Sequence, residues 1–583
     1  MPSDVTPGAV PPAEGRSVSI ALAGSGGSGV MTAGSLLLAA AAEAGFYGLM
    51  VRTSGPQIRG GEAAALIRVS PDAIETLDDA FDALVAIDWG NVHRFADEIP
   101  LAPSGVMVGD PAEGEPPDVY RARARYCPVT MKALAKRIAG AWPNMIALEL
   151  AGALIGLPRT ALHTAAQKSL RKSQSLAANL AAIDAGFAAA SDIGTAGRLG
   201  VPPARTGARW LVSGNEAAGA GALRGGVRFV AAYPITPATE MLEWLSPALA
   251  RVGGALLQAE DELASVNMII GASYGGVTSL TATAGPGLAL MTEGIGLAVA
   301  AEVPIVVVDV MRGGPSTGIP AKSEQSDLSI AVAGLHGDAP RLVLAPTSIA
   351  DCLPTTQWAV ELAEALQSPA IVLSDQFLGQ SRAVVDRPPD AAVAGKRLVA
   401  DANAPDYKRY RDTDSGVSPM AVPGTPGTVY TADGLSHTEA GIPSSSARDH
   451  LLQLDKRARK LARHDYGRRW ADVEGDGNAA VVTFGSTTAA VREALARAAA
   501  QGVQAKLVAL RLLAPLRREA LAEALAGVER VLVVEQNHSG QLLRHLRAEF
   551  DLPARQSSFR RPGPLPLRPG ELADAIVAWR TAP

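Results

Sequence analysis

Ser17 to Gly45 reads SVSIALAGSGGSGVMTAGSLLLAAAAEAG. An apolar, β-rich run passes through a glycine turn into an Ala/Leu-rich helical pattern. That order predicts a strand, a tight turn and a helix whose first N–H groups can face an anion at short range. Gly24, Gly26 and Gly29 also satisfy G-x-G-x-x-G, the spacing of a dinucleotide site. Such a site places an acid about 20 residues further on, at the end of the second strand, to hold ribose hydroxyls. Here the second strand lies within YGLMVRTSGPQIRGGE and ends in Arg52 and Thr53, where no acid stands. Arg52 suits a 2′-phosphate, so NADP stays open as a minor reading. Contact with another phosphate or an acyl carrier, or a plain β–α turn, is the main reading of the pattern. The stretch fixes an α/β fold and leaves its ligand open.

The same alternation of short β-rich runs and Ala/Leu helical patterns continues through most of the chain, which predicts parallel α/β domains. After a polar tail at residues 1–16, a first domain covers 17–193 and includes the strand DALVAID, Asp82 to Asp88. A Gly/Pro/Arg linker follows at 194–209. A second domain covers 210–383, with strands expected near Arg228–Ala232, Val277–Thr283, Ile305–Val310, Arg341–Leu344 and Ala370–Leu373. Residues 384–475 turn rich in Pro, Asp, Gly and Ser, too long for an ordinary loop, and read as a linker or an arm that wraps a partner. Within it SSARDHLLQLDKRARKLARHD reads as one polar, exposed helix. A last α/β domain covers 476–583.

Composition narrows the function. The chain has 583 residues, 48% of them hydrophobic, a net charge of −5 and only 4% aromatics. There is no basic stripe for nucleic acid and no stacking platform for single strands. Cys127 and Cys352 cannot supply four thiolates to a cluster and read as reduced, mostly buried thiols of a cytoplasmic protein. The first residues lack the basic and apolar regions of a signal peptide. The longest apolar run, GPGLALMTEGIGLAVAAEVPIVVVDV, is broken by Glu293, Glu302 and Pro304, so no membrane span is expected.

The middle domain carries the decisive pattern. AAYPITPATEM sets Tyr233-Pro234-Ile235-Thr236-Pro237 after a strand and before a helix. Alone it is no more than a turn with a Pro-started helix. AEDELASVNMIIGASYGG, TATAGPGLALMTEGIG and DVMRGGPSTGIPAKSEQSDL follow in order, each at a strand-to-helix edge. This series closely resembles the α subunits of 2-oxoacid:ferredoxin oxidoreductases, nearest to the type with a γ domain fused ahead of α, as in 2-oxoglutarate:ferredoxin oxidoreductases. GSGGSGVMTAG and SGPQIRGGEAA look like that γ domain. YTADGLSHTEAGIPSSSARDH and LVVEQNHSGQLLR resemble the family as well, so the likeness covers nearly the whole chain.

The resemblance implies three domains: a γ-type domain, a thiamine-diphosphate pyrimidine-binding domain and a transketolase C-terminal-like domain. It implies that thiamine diphosphate supplies a nucleophile and then an electron sink. Glu262 matches the glutamate that bonds the aminopyrimidine ring, with Tyr233, Pro234 and Ile235 beside the cofactor. From the residues alone, Glu260, Asp261 and Glu262 are equal candidates, and an acid at a helix start is favoured by the macrodipole in any case. Thr236 matches a residue that bonds the 2-oxo acid. Arg312 is suited to a bidentate bond with a carboxylate, or else closes a β–α loop, and Thr317 lines the same pocket. The γ-type domain closes over the site and helps hold coenzyme A, with Gly24, Gly26, Ser28, Gly29 and Arg59 as candidate contacts.

Two positions depart from the pattern. Ala321 stands where many relatives have Thr, which removes a hydroxyl that would bind a distal carboxylate, although Lys322 supplies a charge next to it. Ala284 stands where Ser is common. EGDGN at Glu474–Asn478 resembles the G-D-G of a thiamine diphosphate–Mg²⁺ site, but it directly precedes a strand and the next Asn is Asn537, so it reads as a turn. With no metal-ligand spacing in the chain, Mg²⁺ and a 4Fe–4S cluster are expected in a separate β subunit that shares the thiamine diphosphate. The implied assembly is an (αβ)₂ heterotetramer that decarboxylates a 2-oxo acid, most nearly 2-oxoglutarate, reduces ferredoxin and makes acyl-CoA, reversibly. Pyruvate, branched-chain or aryl oxo acids are the alternatives, and a non-catalytic nucleotide-binding adapter is the alternative of another class.

Overall fold

The computed structural model describes residues 17–55, 61–197, 199–202, 207–391, 393–553 and 555–581. It divides into two compact units, Met1–Leu211 with Ala383–Arg387, and Val212–Arg382 with Pro388–Pro583.

The first unit is built on an eight-stranded sheet. Its strands are β1 (Val18–Ser25), β2 (Tyr47–Ser54), β3 (Glu62–Ser70), β4 (Phe81–Ala86), β5 (Leu101–Gly109), β6 (Arg125–Pro128), β7 (Arg209–Ser213) and a later segment, Arg382–Asp386. The order is β6-β5-β4-β1-β3-β2, then Arg382–Asp386, then β7. β1, β4, β5 and β6 are parallel neighbours as expected. β3 departs from that pattern, lying antiparallel between β1 and β2. The chain doubles back after Ser54, so β2 and β3 need no crossover helix. The helix Val30–Glu43 presses Val30, Ala33, Leu36, Leu37, Ala40 and Ala41 into the core, with Pro143–Leu154 and Arg159–Ser169 packed beside it.

The second unit holds two sheets. The larger contains β8 (Phe229–Ala232), β9 (Ala255–Gln258), β10 (Ser279–Thr283), β11 (Val306–Met311), β12 (Leu342–Leu344) and β13 (Ala370–Asp375). Its order is Leu512–Ala514, β12, β13, β11, β10, β8, β9, and only the Leu512–Ala514 pairing is antiparallel. The five strands expected here are present within one or two residues. β9 is an additional short edge strand with little burial, which leaves it no hydrophobic pattern to read. β11, VVVDVM, is buried on both faces, which is why it reads as a continuous apolar run. Helices Thr239–Arg251, Glu262–Tyr274 and Gly285–Ala300 leave the ends of β8, β9 and β10. The second sheet runs Ala471–Glu474, Lys506–Leu510, Ala479–Phe484, Arg530–Glu535, Arg555–Arg560. Between Ala471–Glu474 and Ala479–Phe484, Gly475 and Gly477 adopt φ of 72° and 127°, so the G-D-G is a turn.

The arm corrects one expectation. Its helix, Ala447–Ala462, buries its charged face instead of solvating it: Lys456 and Lys460 are essentially inaccessible. Both donate to the carboxylate of Glu302, at 2.6 and 3.0 Å, and Arg409 donates to the Glu302 carbonyl. The positive charges hold that acid below the usual carboxylate range against the opposing effect of burial. Arg397, on the same arm, is ion-paired with buried Glu364. Among the described residues no helix is long and apolar enough to cross a membrane.

Candidate active site at the ends of the parallel strands

β9, β8, β10 and β11 are consecutive in the sheet, so the segments leaving their C-terminal ends converge along one edge. Three of the residues singled out in the sequence are drawn together there.

The structure separates the three neighbouring acids. Glu260 is exposed. Asp261 caps the helix Glu262–Tyr274, accepting from the Ala264 N–H at 2.7 Å. Glu262 alone is buried, at 6% exposure. Its carboxylate lies over the start of the helix Gly285–Ala300, where a Cβ on Gly287 would fall 2.6 Å from Glu262 Cγ and 2.8 Å from Oε1. The Thr283 hydroxyl lies closer still, at 2.0 Å, so Gly287 leaves room for both side chains.

After β8, Tyr233 is exposed and the turn closes as Ala238 N–H donates to the Ile235 carbonyl. Asn215 Nδ2 donates to the Pro237 carbonyl at 2.9 Å and braces the turn. Arg312 follows β11 directly. It is 7% exposed, donates through Nη1 to the Thr236 carbonyl, and has no partner for Nε. Burial draws its guanidinium below the usual range, opposed by the charges of Asp327, Asp309 and Glu262. A hydrogen bond thus joins Arg312 to the Thr236 main chain, and Glu262 lies within electrostatic reach of Arg312.

The loop beyond Arg312 folds on itself: Gly313 N–H donates to the Lys322 carbonyl and Ile319 N–H to the Gly313 carbonyl. Ala321 and Lys322 stand half-buried at its base. Thr317 is at the exposed tip, with no hydrogen bond among the described residues to Thr236, Arg312 or Glu262. Two acids of this site escaped the sequence reading. Asp309 sits inside β11, and Asp327 stands at the head of the short helix Leu328–Ala333. A lone Asp within VVVDV is the signal that was there to find.

The first unit's glycine turn is built around Asp88, just past β4. Asp88 Oδ2 accepts from the Ser25 N–H at 2.8 Å, and Oδ1 accepts from Ser25 Oγ at 2.8 Å and the Gly90 N–H at 3.1 Å. The Gly26 N–H is spent on the Gly61 carbonyl, and Ser28 N–H and Oγ both on the Ser25 carbonyl. Gly29, with φ of 86°, starts the helix, and Asn144 Nδ2 donates to its carbonyl. Arg59 lies outside the described residues. Among those described, no group of three or more His, Cys, Asp or Glu is arranged to hold a metal ion.

Three family models match the chain. They are the thiamine-diphosphate-binding domain of pyruvate flavodoxin/ferredoxin oxidoreductases at residues 220–456, pyruvate ferredoxin/flavodoxin oxidoreductase at 19–189, and pyruvate:ferredoxin oxidoreductase core domain II at 477–559. The 2-oxoacid:ferredoxin oxidoreductase 2 α subunit of Aeropyrum pernix is 35% identical over 65% of this chain and 62% of its own length. The match to the α subunit from Saccharolobus solfataricus likewise spans 55% of that protein. The 2-oxoglutarate synthase subunit KorA of Methanothermobacter marburgensis is 33% identical over 64% of this chain and 99% of its own. A solved 2-oxoglutarate:ferredoxin oxidoreductase from Magnetococcus marinus, with 2-oxoglutarate, coenzyme A and succinyl-CoA bound, superposes with a TM-score of 0.90 at 36% identity. That match covers 97% of this chain and all of the other.

Proposed function

The chain belongs to the 2-oxoacid:ferredoxin oxidoreductase family as an α subunit, and we propose that it is the fused γα subunit of an enzyme that converts a 2-oxo acid and coenzyme A to acyl-CoA and CO₂ while reducing ferredoxin. The reaction is reversible in principle. The observation that carries this reading is the buried carboxylate of Glu262, admitted by Gly287 and grouped with Arg312 and Thr236.

Thiamine diphosphate fits this arrangement through the one buried acid of the three at the head of the helix and the glycine that clears space for it. When bound, it supplies the nucleophile and the electron sink of the reaction. The buried Glu262 carboxyl would then hold a proton at a nitrogen of the aminopyrimidine ring. Arg312 binds the substrate carboxylate, and Thr236 orients the 2-oxo group, its backbone fixed by the Arg312 bond and the Asn215 brace. Tyr233, Pro234 and Ile235 form the wall beside the cofactor.

Substrate identity rests on Ala321 and Lys322. The Magnetococcus relative's 2-oxoglutarate supports a dicarboxylic acid, with Lys322 as the distal charge. The missing hydroxyl at Ala321 favours the second reading, a monocarboxylic oxo acid such as pyruvate. Thr317 enters either pocket only through movement of its loop. For coenzyme A, Gly26 and Ser28 already spend donors within the turn, and the Asp88 carboxylate repels a phosphate at Ser25. Gly24 shapes the turn, and the first helical turn behind Gly29 offers the N–H groups a phosphate requires. The same reading assigns Mg²⁺ and the iron–sulfur cluster to a β subunit, the assembly to an (αβ)₂ heterotetramer and the complex to the cytoplasm.

The test is 2-oxoacid-dependent viologen reduction by the complex that copurifies with this chain, with and without coenzyme A. Preference for 2-oxoglutarate supports the dicarboxylic reading, and preference for pyruvate or apolar acids replaces the substrate while keeping the reaction. No turnover with any acid, in a preparation containing thiamine diphosphate and an iron–sulfur cluster, refutes the catalytic reading and restores the adapter.

A further inference from the structure

Asp309 and Asp327 have no place in the reaction as described so far. Asp309 is fully buried in β11, and neither of its carboxyl oxygens has a hydrogen-bond donor. The Asp327 carboxyl lies against it, and Asp327 Oδ2 also lacks a donor. Gly285 leaves room for the Asp327 carboxyl, since a Cβ there would fall 2.7 Å from Asp327 Oδ2 and 2.8 Å from Oδ1. The buried guanidinium of Arg312, with its Nε unpartnered, lies within electrostatic reach of both acids without an ion-pair contact to either.

Two carboxylates in contact, away from water and without a donor between them, cannot both stay ionised. One proton between them turns repulsion into a hydrogen bond and leaves a single negative charge opposite the guanidinium. The surrounding charges are consistent with this. Burial raises both acids above the usual carboxylate range; the Asp327 charge raises Asp309 further, and the Glu324 charge does so for Asp327. Arg312 is the opposing positive charge on both, and Glu262 is the further acid that Arg312 faces. Because the pair titrates as a unit, the loss of each proton belongs to both residues.

We propose that Asp309 and Asp327 hold one proton between them and act as a positioning pair for Arg312, fixing how much of its charge is left for the substrate carboxylate. This rests on the assignment of Arg312 to that carboxylate. With the shared proton in place, the pair and Arg312 balance and the guanidinium accepts a second anion. When the proton leaves to solvent, the pair carries two negative charges, holds Arg312 more tightly and repels the incoming oxo acid. KM for the oxo acid therefore rises with pH while kcat does not follow.

The test uses the intact complex with aspartate carboxyl-labelled chain, read by infrared spectroscopy and by steady-state kinetics. At neutral pH an aspartic C=O band of a protonated carboxyl is expected, which titrates away as pH rises and is missing in both Asp309→Asn and Asp327→Asn. KM should rise about tenfold per pH unit beyond that titration. Asp309→Asn should flatten the rise, because the introduced amide donates to Asp327 and keeps one fixed charge. A KM profile of Asp309→Asn that coincides with wild type overturns the proposal. If neither variant folds, wild type decides: a band and a KM rise that titrate together support the pair, and a rise without a titrating band overturns it. If no oxo acid is turned over, the functional reading has failed, and the band alone decides on the shared proton.

Discussion

Arg312 reaches from the end of β11 to the main-chain carbonyl of Thr236, 76 residues earlier in the chain and two strands away in the sheet. One side chain thus both presents a positive charge and fixes the turn that carries the neighbouring hydroxyl. Replacing it should disturb binding more than one lost contact would.

Arg312→Lys keeps the charge and removes the planar fork. Its KM for the preferred oxo acid is expected to rise about 10- to 100-fold, corresponding to about 1.5–3 kcal/mol for charge-assisted bonds. kcat should fall less. Steady-state kinetics across a panel of oxo acids checks this, and an unchanged KM would remove Arg312 from the substrate.

Glu262→Gln keeps the shape and loses the exchangeable carboxyl. Turnover should drop by about 10²- to 10⁴-fold with thiamine diphosphate still bound. Gly287→Ala should reach a comparable loss by another route, because the new Cβ displaces both Glu262 and the Thr283 hydroxyl, 2.0 Å from its position. Cofactor content measured beside turnover separates the two, since only Gly287→Ala is expected to shed cofactor.

Glu149, on the helix Pro143–Leu154 of the first unit, is 1% exposed, and burial pushes its carboxyl up to about 7. The folded state holds the proton more tightly than the unfolded chain. Its stabilising contribution is therefore complete below the ordinary value of 4.5 and is lost as pH rises towards 7. Glu149→Gln should remove this loss, raising the denaturant midpoint at pH 8 and changing it little at pH 4. A variant whose midpoint falls at pH 8 would show that the acid is stabilising when ionised.

Glu302→Gln leaves Lys456 and Lys460 buried without their counter-charge. The expected cost is about 3–5 kcal/mol, seen as a lower melting temperature. Adding Lys456→Met and Lys460→Met should recover most of it. Failure of that rescue would mean that the cost lies outside the two lysines, with Arg409 and Arg457, whose buried charges also face Glu302.

The parallel sheet of the second unit is legible in the sequence because β10 to β13 are buried on both faces and stand out as apolar runs between helical patterns. β3 is not, since EAAALIRVS reads the same whichever way it pairs. The choice of Glu262 over Glu260 and Asp261 comes from resemblance, and physical chemistry distinguishes them only once the cap at Asp261 and the Gly287 clearance are seen. The helix Ala447–Ala462 misleads for a related reason. A row of Lys and Arg reads as a solvated face until its partner is located, and Glu302 lies 154 residues upstream of Lys456. Asp309 and Asp327 escape notice because one lies inside a strand and the other at the head of a helix 18 residues on, and no spacing rule encodes their meeting.

The internal cluster of Glu302, Lys456 and Lys460 also bears on purification. Dissolved ions weaken attractions between charges they can surround, and they cannot surround charges sealed inside a fold. Concentrated salt should therefore leave the arm seated. The charges that look most like a detachable tether are those that ionic strength does not reach.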